Sequence, residues 1–498
     1  MRTYDLDVRG HQSKYEYLYL CIREDIRSGV IPQGEKLPSK RAAAKHLSVS
    51  VSTVEQAYDL LVSEGYAKAV PGSGFFALEH KERMSQALTQ TSATAAVAPA
   101  PAAASIAPSA TGSTEAQATP ALTPIDFKAN RCSMNLFPVD TWSRLMRRTL
   151  SERAPELFET VPYNGLLGLR RAIAHYLFDF KGMVVRPEQI VVGAGTEYLY
   201  SRLMQLLGPV PTIAIGDTGS KKFVDLTRGM GTNWNFVPVD QDGMRVDKLS
   251  HLHADAVHVS PANHFPTGVI LSPKRREELL SWADSSLKRF IIEDDYDSEL
   301  RYQGRALPPL FVEDAHDRVI YLNTFSKILV PSIRISFMVL PPQLAHIYQS
   351  QLSFYSCTVS SFEQYALALF IEEGYLERHI NRLRRYYDKQ RSLVSSALAA
   401  SPLMKIATMR PVNVGTHLIC SLKTRLTDTE VKEAAEARGM NLSMLSDYCY
   451  LPSVLSAHEM VINFASIAPE MLDEVVARLC DIFAEDIADP GPAPAPHK

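Results

Sequence analysis

The sequence predicts an α/β protein, a mostly parallel sheet with helices on both faces, preceded by a small unit of helices and a strand hairpin. Three observations predict it. Short apolar, β-branched runs recur at residues 190–192, 212–215, 256–260, 290–292, 319–322 and 336–340, separated by helical stretches, which is the pattern of a parallel sheet built from βα units. Residues 11–78 instead place apolar side chains at helical spacing and end in two short strands around a glycine-rich turn. Between the two parts, residues 84–124 are almost entirely Ala, Pro, Ser and Thr, a composition that cannot bury enough apolar surface to fold.

The 498 residues exceed one ordinary domain. We expect a unit at 11–78, a disordered linker at 79–124, and a larger domain at 125–485. The latter divides into a large part at about 165–385 and a small part at about 386–485, and 486–498 reads as a disordered tail. Apolar residues are 46% and charged residues 21%, ordinary for a globular protein. Net charge is 52 − 55 = −3, which excludes bulk electrostatic attraction to nucleic acid; any such binding must be local. The six cysteines lie far apart without a C-x-x-C pair. That argues against a metal site or disulfide framework and suits a reducing compartment. With no long apolar run and no signal-like start, the expected location is the cytoplasm, with no membrane partner.

In the N-terminal unit, Tyr15, Leu18, Ile22 and Ile26 predict a helix that Gly29 stops. Ser39 caps a short helix ending near Leu47, and Ser50 caps a second one. The second helix buries Val54, Ala57 and Leu61 with Tyr58 beside them, and turns Ser52, Thr53, Glu55, Gln56 and Asp59 outward. Strands at 66–70 and 75–78 flank Pro71-Gly72-Ser73-Gly74. The motifs G-x-x-x-x-G-x-x-L-P-S-x-R (Gly29 to Arg41), L-x-V-S-x-x-T-V (Leu47 to Val54), E-G-Y (Glu64 to Tyr66) and G-x-G-F (Gly72 to Phe75) resemble the GntR-type winged helix-turn-helix domain. The resemblance implies binding to a double-stranded DNA operator, with the second helix in the major groove. It assigns DNA contacts to Ser39, Lys40, Arg41, Ser50, Ser52, Thr53 and Gln56, and to Ser73 and Gly74 in the wing. Val51 stands where such domains usually carry arginine. Ten Lys and Arg face nine Asp and Glu over residues 1–78, so one module should bind weakly, since phosphate contacts supply most non-specific affinity.

The larger domain is organised around YLNTFSKILVP, residues 321–331. Lys327 follows a β-branched run and the hydroxyls Thr324 and Ser326, and Arg334 comes seven residues later. Upstream, FIIEDDYDSEL carries a strand into Asp294 and Tyr296. A lysine that forms a Schiff base with pyridoxal phosphate (PLP) needs such companions: a carboxylate to keep the pyridine nitrogen protonated, and donors with an arginine for the phosphate. A strand at 190–192 feeds Gly193-Ala194-Gly195-Thr196 and a helix, and helix N-termini bind phosphate through free N–H groups. The joint pattern resembles the PLP-dependent transferases of fold type I, the aminotransferase-like fold. The resemblance makes Lys327 the Schiff-base lysine, pairs Asp294 with the pyridine nitrogen and sets Tyr296 at the ring oxygen, with Asn263 or His264 as its possible partner there. Gly195, Thr196, Thr324, Ser326 and Arg334 then face the phosphate, and Tyr163 reaches in from the partner subunit of a dimer.

Two places depart from a working aminotransferase. In IGDTGSKKF, Thr218 and Ser220 stand where relatives place a ring-stacking aromatic, unless Phe223 substitutes. In VINFASIAP, Val461 stands where relatives place the arginine that clamps a substrate α-carboxylate. Together the two halves resemble the MocR/GabR-type regulators. This implies a PLP-binding, DNA-binding homodimer, domain-swapped head to tail, that responds to a small-molecule effector with little or no transaminase turnover. PLP itself, hence vitamin B6 supply, is one candidate effector. An amine or amino acid that reacts with bound PLP is another, with Lys221, Lys222 or Arg410 supplying a different clamp. A working aminotransferase is the enzyme alternative.

Overall fold

The computed structural model describes residues 4, 14–32, 34–47, 49–63, 66–70, 73–78, 125–127, 136–302, 307–410, 413–451 and 458–489. The chain divides into two compact units, Met1–Glu115 and Ala116–Lys498. The expected linker at 79–124 lies outside the described residues, as does the tail from 490 onward. The expected tail begins too early, however. A helix spans Ala484–Ala488, and Asp486 within it is buried and accepts a hydrogen bond from Thr424 Oγ1 at 2.5 Å.

The first unit holds α1 (Lys14–Arg27), α2 (Lys40–His46), α3 (Val51–Ser63), β1 (Ala67–Val70) and β2 (Gly74–Ala77). Both expected caps form. Ser39 Oγ accepts from Ala42 N at 3.3 Å, and Ser50 Oγ accepts from Thr53 N at 3.1 Å. Val54, Ala57, Tyr58 and Leu61 are buried, while Ser52, Glu55, Gln56 and Asp59 are exposed. β1 and β2 pair antiparallel from Ala67↔Ala77 to Val70↔Gly74. Tyr58 ties three elements together: its ring meets Phe75 of β2 edge-on at 5.1 Å, and its hydroxyl donates to Pro38 O at 3.0 Å.

In the second unit seven strands form one sheet. Their spatial order is Ile190–Gly193, Ser336–Val339, Val319–Thr324, Phe290–Asp295, Ala256–Val259, Thr212–Gly216, Asn233–Val237. Only Ser336–Val339 runs antiparallel to its neighbours. Alternation sends successive side chains to opposite faces, and both faces are covered. Val191, Ile292, Ile320 and Met338 pack with Leu199, Leu203 and Tyr348 from helices Thr196–Leu207 and Pro342–Leu352. Ile190, Val192, Tyr321 and Phe337 pack with Leu169, Ile173, Leu367 and Phe370 from helices Leu167–Lys181 and Ser361–Glu372. The edge strand Asn233–Val237 was not anticipated. Its two asparagines break the apolar run, which an edge position tolerates because only its last residue is fully buried. The helical tract at 361–398 is two helices, Ser361–Glu372 and Tyr375–Ala400, because Gly374 takes a left-handed φ of 71° between them. A smaller antiparallel sheet of Ala407–Met409, His417–Leu422, Glu459–Asn463 and Ser443–Met444 completes the unit.

The Tyr58 contacts generate a prediction. Tyr58→Ala should destabilise the N-terminal unit by about 3–5 kcal/mol, the usual cost of deleting a buried aromatic ring. Tyr58→Phe, which loses only the hydrogen bond to Pro38, should cost about 1 kcal/mol. Thermal unfolding of the full chain should show both losses in the transition of this unit and not in that of the larger one.

Candidate cofactor and DNA-binding sites

The carboxyl ends of the parallel strands converge on one place, the usual ligand site of such sheets. Asp294 lies at the end of Phe290–Asp295 opposite Leu322, Thr324 pairs with Ser336, and Ser336 pairs with Gly193. Lys327 comes three residues after Thr324, on the turn beyond that strand. Its Nζ lies 5.9 Å from the centre of the Tyr296 ring. Burial lowers the Lys327 pKa, and the charges of Asp297 and Asp294 partly oppose that shift. A lysine deprotonated more easily than usual is the form that attacks a carbonyl.

Asp294 is held from behind. Its Oδ2 accepts from Tyr200 Oη at 2.8 Å and lies 3.6 Å from His258 Nε2, while Tyr200 Oη and His258 Nε2 are 3.0 Å apart. Its other oxygen, Oδ1, is buried with no hydrogen-bond partner. Phe223 is buried against both supports, with ring centres 4.1 Å from Tyr200 and 4.5 Å from His258. Tyr296 Oη donates to Asn263 O at 3.0 Å. The Asn263 side chain donates to both oxygens of Asp297, at 3.1 and 2.9 Å. Burial raises the Asp297 pKa to about 8 against the pull of Lys327 and Asn263. His417, lowered to about 4 by burial and by the nearby Lys327 charge, is neutral at pH 7 and shares a hydrogen bond with Pro266 O at 3.0 Å.

The residues expected to face the phosphate also lie together. Gly195 has φ 87° at the N-terminus of the helix Thr196–Leu207, and a Cβ there would collide with the Arg334 guanidinium. Arg334 itself is left-handed, with φ 49°, a conformation that costs a non-glycine residue about 1–3 kcal/mol and collects at functional sites. Ser326 Oγ is buried without a partner. The Thr324 hydroxyl is spent within the turn, accepting from Ser336 Oγ at 2.8 Å and from Ser326 N at 3.2 Å. Tyr163 is half-buried and stacks on Tyr348 with ring centres 5.9 Å apart.

A cleft of about 500 Å³ opens beside Asn263 and His417, with Thr218, Asp217, Arg410 and Glu459 on its walls. Arg410 is ion-paired to Glu459. Val461 sits in an apolar cluster with Ile419, Leu445 and Tyr448. Lys222 is paired with Glu197 at 2.5 Å. Among the described residues no group of three His, Cys, Asp or Glu side chains could hold a metal ion, and no helix is long and apolar enough to cross a membrane.

On the winged unit, Lys40 pairs with Glu55 at 2.8 Å and lies over the Phe75 ring at 5.2 Å. Ser50 Oγ is within 2.9 Å of Ser52 Oγ and 2.7 Å of Thr53 Oγ1, so the three hydroxyls form one cluster at the start of α3. Arg41, Gln56 and Ser73 are exposed, and Gly74 is half-exposed with φ 110°. Val51 is 45% exposed at the first position of α3. Sequence reading missed Tyr200, His258, Asp297 and His417. Two left a signal: Tyr200 is one helical turn beyond Thr196, and His258 is the lone polar residue in the strand Ala256–Val259.

The model of the family described as bacterial regulatory proteins, gntR family, matches residues 14–77. The aminotransferase class I and II model matches residues 123–479. The chain is 31% identical to the probable rhizopine catabolism regulatory protein MocR of Rhizobium meliloti, over 96% of this chain and 94% of that one. It is 30% identical to the pyridoxine biosynthesis transcriptional regulator PdxR of Corynebacterium glutamicum, over 86% of this chain and 87% of that one. The multiple substrate aminotransferase of Thermococcus profundus superposes with a TM-score of 0.65 at 26% identity, covering 73% of this chain and 92% of that structure.

The cofactor of this fold is pyridoxal phosphate, and the residues present fit it. The unpartnered Asp294 Oδ1 suits a protonated pyridine nitrogen, and the unpartnered Ser326 hydroxyl suits a phosphate oxygen. Held at Lys327, PLP would supply an electron sink. A hydrogen bond to a charged group is worth about 1.5–3 kcal/mol, roughly tenfold or more in an equilibrium constant. Tyr200→Phe, which takes one donor from Asp294, should therefore weaken PLP binding by about tenfold in absorbance titrations, and Lys327→Ala should abolish the visible band of lysine-bound cofactor altogether. With a gntR-type DNA-binding domain at one end and an aminotransferase class I and II domain over most of the rest, the chain belongs to the MocR-type transcription regulators.

Proposed function

We propose that this regulator senses PLP itself and thereby controls vitamin B6 supply. The observation that carries the reading is a contrast within one site. The groups that suit PLP are kept around Lys327, while the cleft beside them offers no ready clamp for an amino acid. Arg410 is already paired with Glu459, and Val461 lies among apolar side chains. Charged hydrogen bonds are worth about 1.5–3 kcal/mol each, so loss of a bidentate clamp weakens an α-carboxylate by two orders of magnitude or more. The pyridoxine biosynthesis role in the name of the C. glutamicum relative is in line with this reading.

The same reading makes the working form a head-to-tail, domain-swapped homodimer, with Tyr163 of each subunit serving its partner's phosphate site. Two weak winged helices on one dimer would then bind two half-sites at high effective concentration. Ser39, Lys40, Arg41, Ser50, Ser52, Thr53, Gln56, Ser73 and Gly74 form the DNA-facing set, with Thr324 shaping the Lys327 turn and Asn263 orienting Tyr296.

The test is to titrate PLP into the apo-protein on its operator and then to add common amino acids to the holo form. DNA affinity should change with PLP and stay constant with amino acids; a response to an amino acid but not to PLP would sink the proposal, and rapid keto-acid formation would restore the enzyme alternative. On the DNA side, Arg41→Ala should weaken binding to all sequences and lower the salt slope by about one. Gln56→Ala should instead change the preference between operator variants. Titrations at several salt concentrations separate the two.

A further inference from the structure

Glu197 lies in the first turn of the helix Thr196–Leu207, one residue beyond Thr196. Its carboxylate is 3.4 Å from Arg334 Nη2 and 2.5 Å from Lys222 Nζ. Arg334 in turn packs against Gly195. One helix N-terminus and one guanidinium thus face two anions: a carboxylate of this chain and the phosphate for which the same groups are suited. A helix N-terminus favours either anion. A guanidinium fork, however, engages one anion at a time in its strong bidentate geometry.

The two contacts of Glu197 are unequal. The one to Arg334 is long, and both side chains are more than 40% exposed, at 47% and 41%. The one to Lys222 is shorter, although the Lys222 side chain is itself 74% exposed. By distance, Arg334 is the partner that Glu197 gives up more easily. We propose that Glu197 opposes the cofactor phosphate. It competes for Arg334 and repels the dianion, which holds PLP affinity low enough for occupancy to follow supply. Lys222 neutralises part of that charge and limits the effect. The proposal rests on the reading of Gly195, Thr196, Ser326 and Arg334 as the phosphate site.

The test uses the full-length apo-protein as wild type, Glu197→Gln, Lys222→Ala and the double variant. Each is titrated with PLP and with pyridoxal, which lacks the phosphate, and its melting temperature is followed in inorganic phosphate. Glu197→Gln should tighten PLP about tenfold, leave pyridoxal unchanged and enlarge the stabilisation by phosphate. Lys222→Ala should weaken PLP binding in the wild-type background and have little effect beside Glu197→Gln, the non-additivity expected of a coupled pair. Unchanged or weaker PLP binding in Glu197→Gln, or an equal gain for pyridoxal, overturns the role of Glu197 while the cofactor site stands. A wild type that binds no PLP overturns the cofactor site and this inference with it.

Discussion

A buried ion-pair network behind the central strand sets the geometry of the cofactor site. Lys181 reaches Asp295 at 3.0 Å and Glu299 at 2.9 Å, with side-chain exposures of 10%, 6% and 1%. Tyr321 donates to Asp295 at 2.6 Å, Tyr176 donates to Glu299 at 2.7 Å, and Asn323 donates to Glu299 at 3.1 Å. Removing one partner from such a network leaves an uncompensated buried charge, at a cost of about 3–5 kcal/mol. Strand alternation gives the network its consequence. With Asp295 fixed on one face of Phe290–Asp295, Asp294 must point to the other, toward Tyr200 and His258.

That constraint divides the acidic run into two kinds of carboxylate. Asp295 Oδ2 takes both Lys181 and Tyr321, and Lys181 with the hydrogen bonds pulls the Asp295 pKa down against burial. Glu293 and Asp297 are buried with weaker compensation and are raised to about 7 and about 8. Glu293 accepts from Leu310 N at 2.9 Å and Phe311 N at 3.0 Å, so it anchors the chain before Val319–Thr324. Asp297 shares its surroundings with Lys327 and Asn263 instead. Neighbouring residues of one short segment thus serve folding on one side and the cofactor site on the other.

The DNA-binding half works with little charge. Lys40 is drawn to Glu55 and Phe75 rather than standing free, and Val51 leaves the start of α3 without a cation. Phosphate contacts dominate non-specific affinity, so this surface depends on its few remaining polar groups. In the proposed dimer, a module that is weak alone would gain occupancy from its twin, and the proposed effector would act by changing how the pair is held.

The sequence alone determined the local features. Ser39 and Ser50 cap their helices because a side-chain oxygen there needs only its own next turn. Val54, Ala57 and Leu61 are buried because helical spacing puts them on one face. Six of the seven strands of the main sheet were legible as apolar runs, and the acid–tyrosine and hydroxyl–lysine motifs were legible by their spacing, which the fold brings to one end of the sheet. The early start assigned to the tail failed because Asp486 looks like tail composition until Thr424 supplies its partner, 62 residues away. The strand Asn233–Val237 was hidden because edge strands need not be apolar. Tyr200 and His258 left only a local signal and the Glu197–Arg334–Lys222 contacts left none, because each depends on how separate elements pack around one sheet end. Which anion an arginine faces, and which carboxylate a lysine neutralises, are matters of distance, and only the tertiary structure decided them.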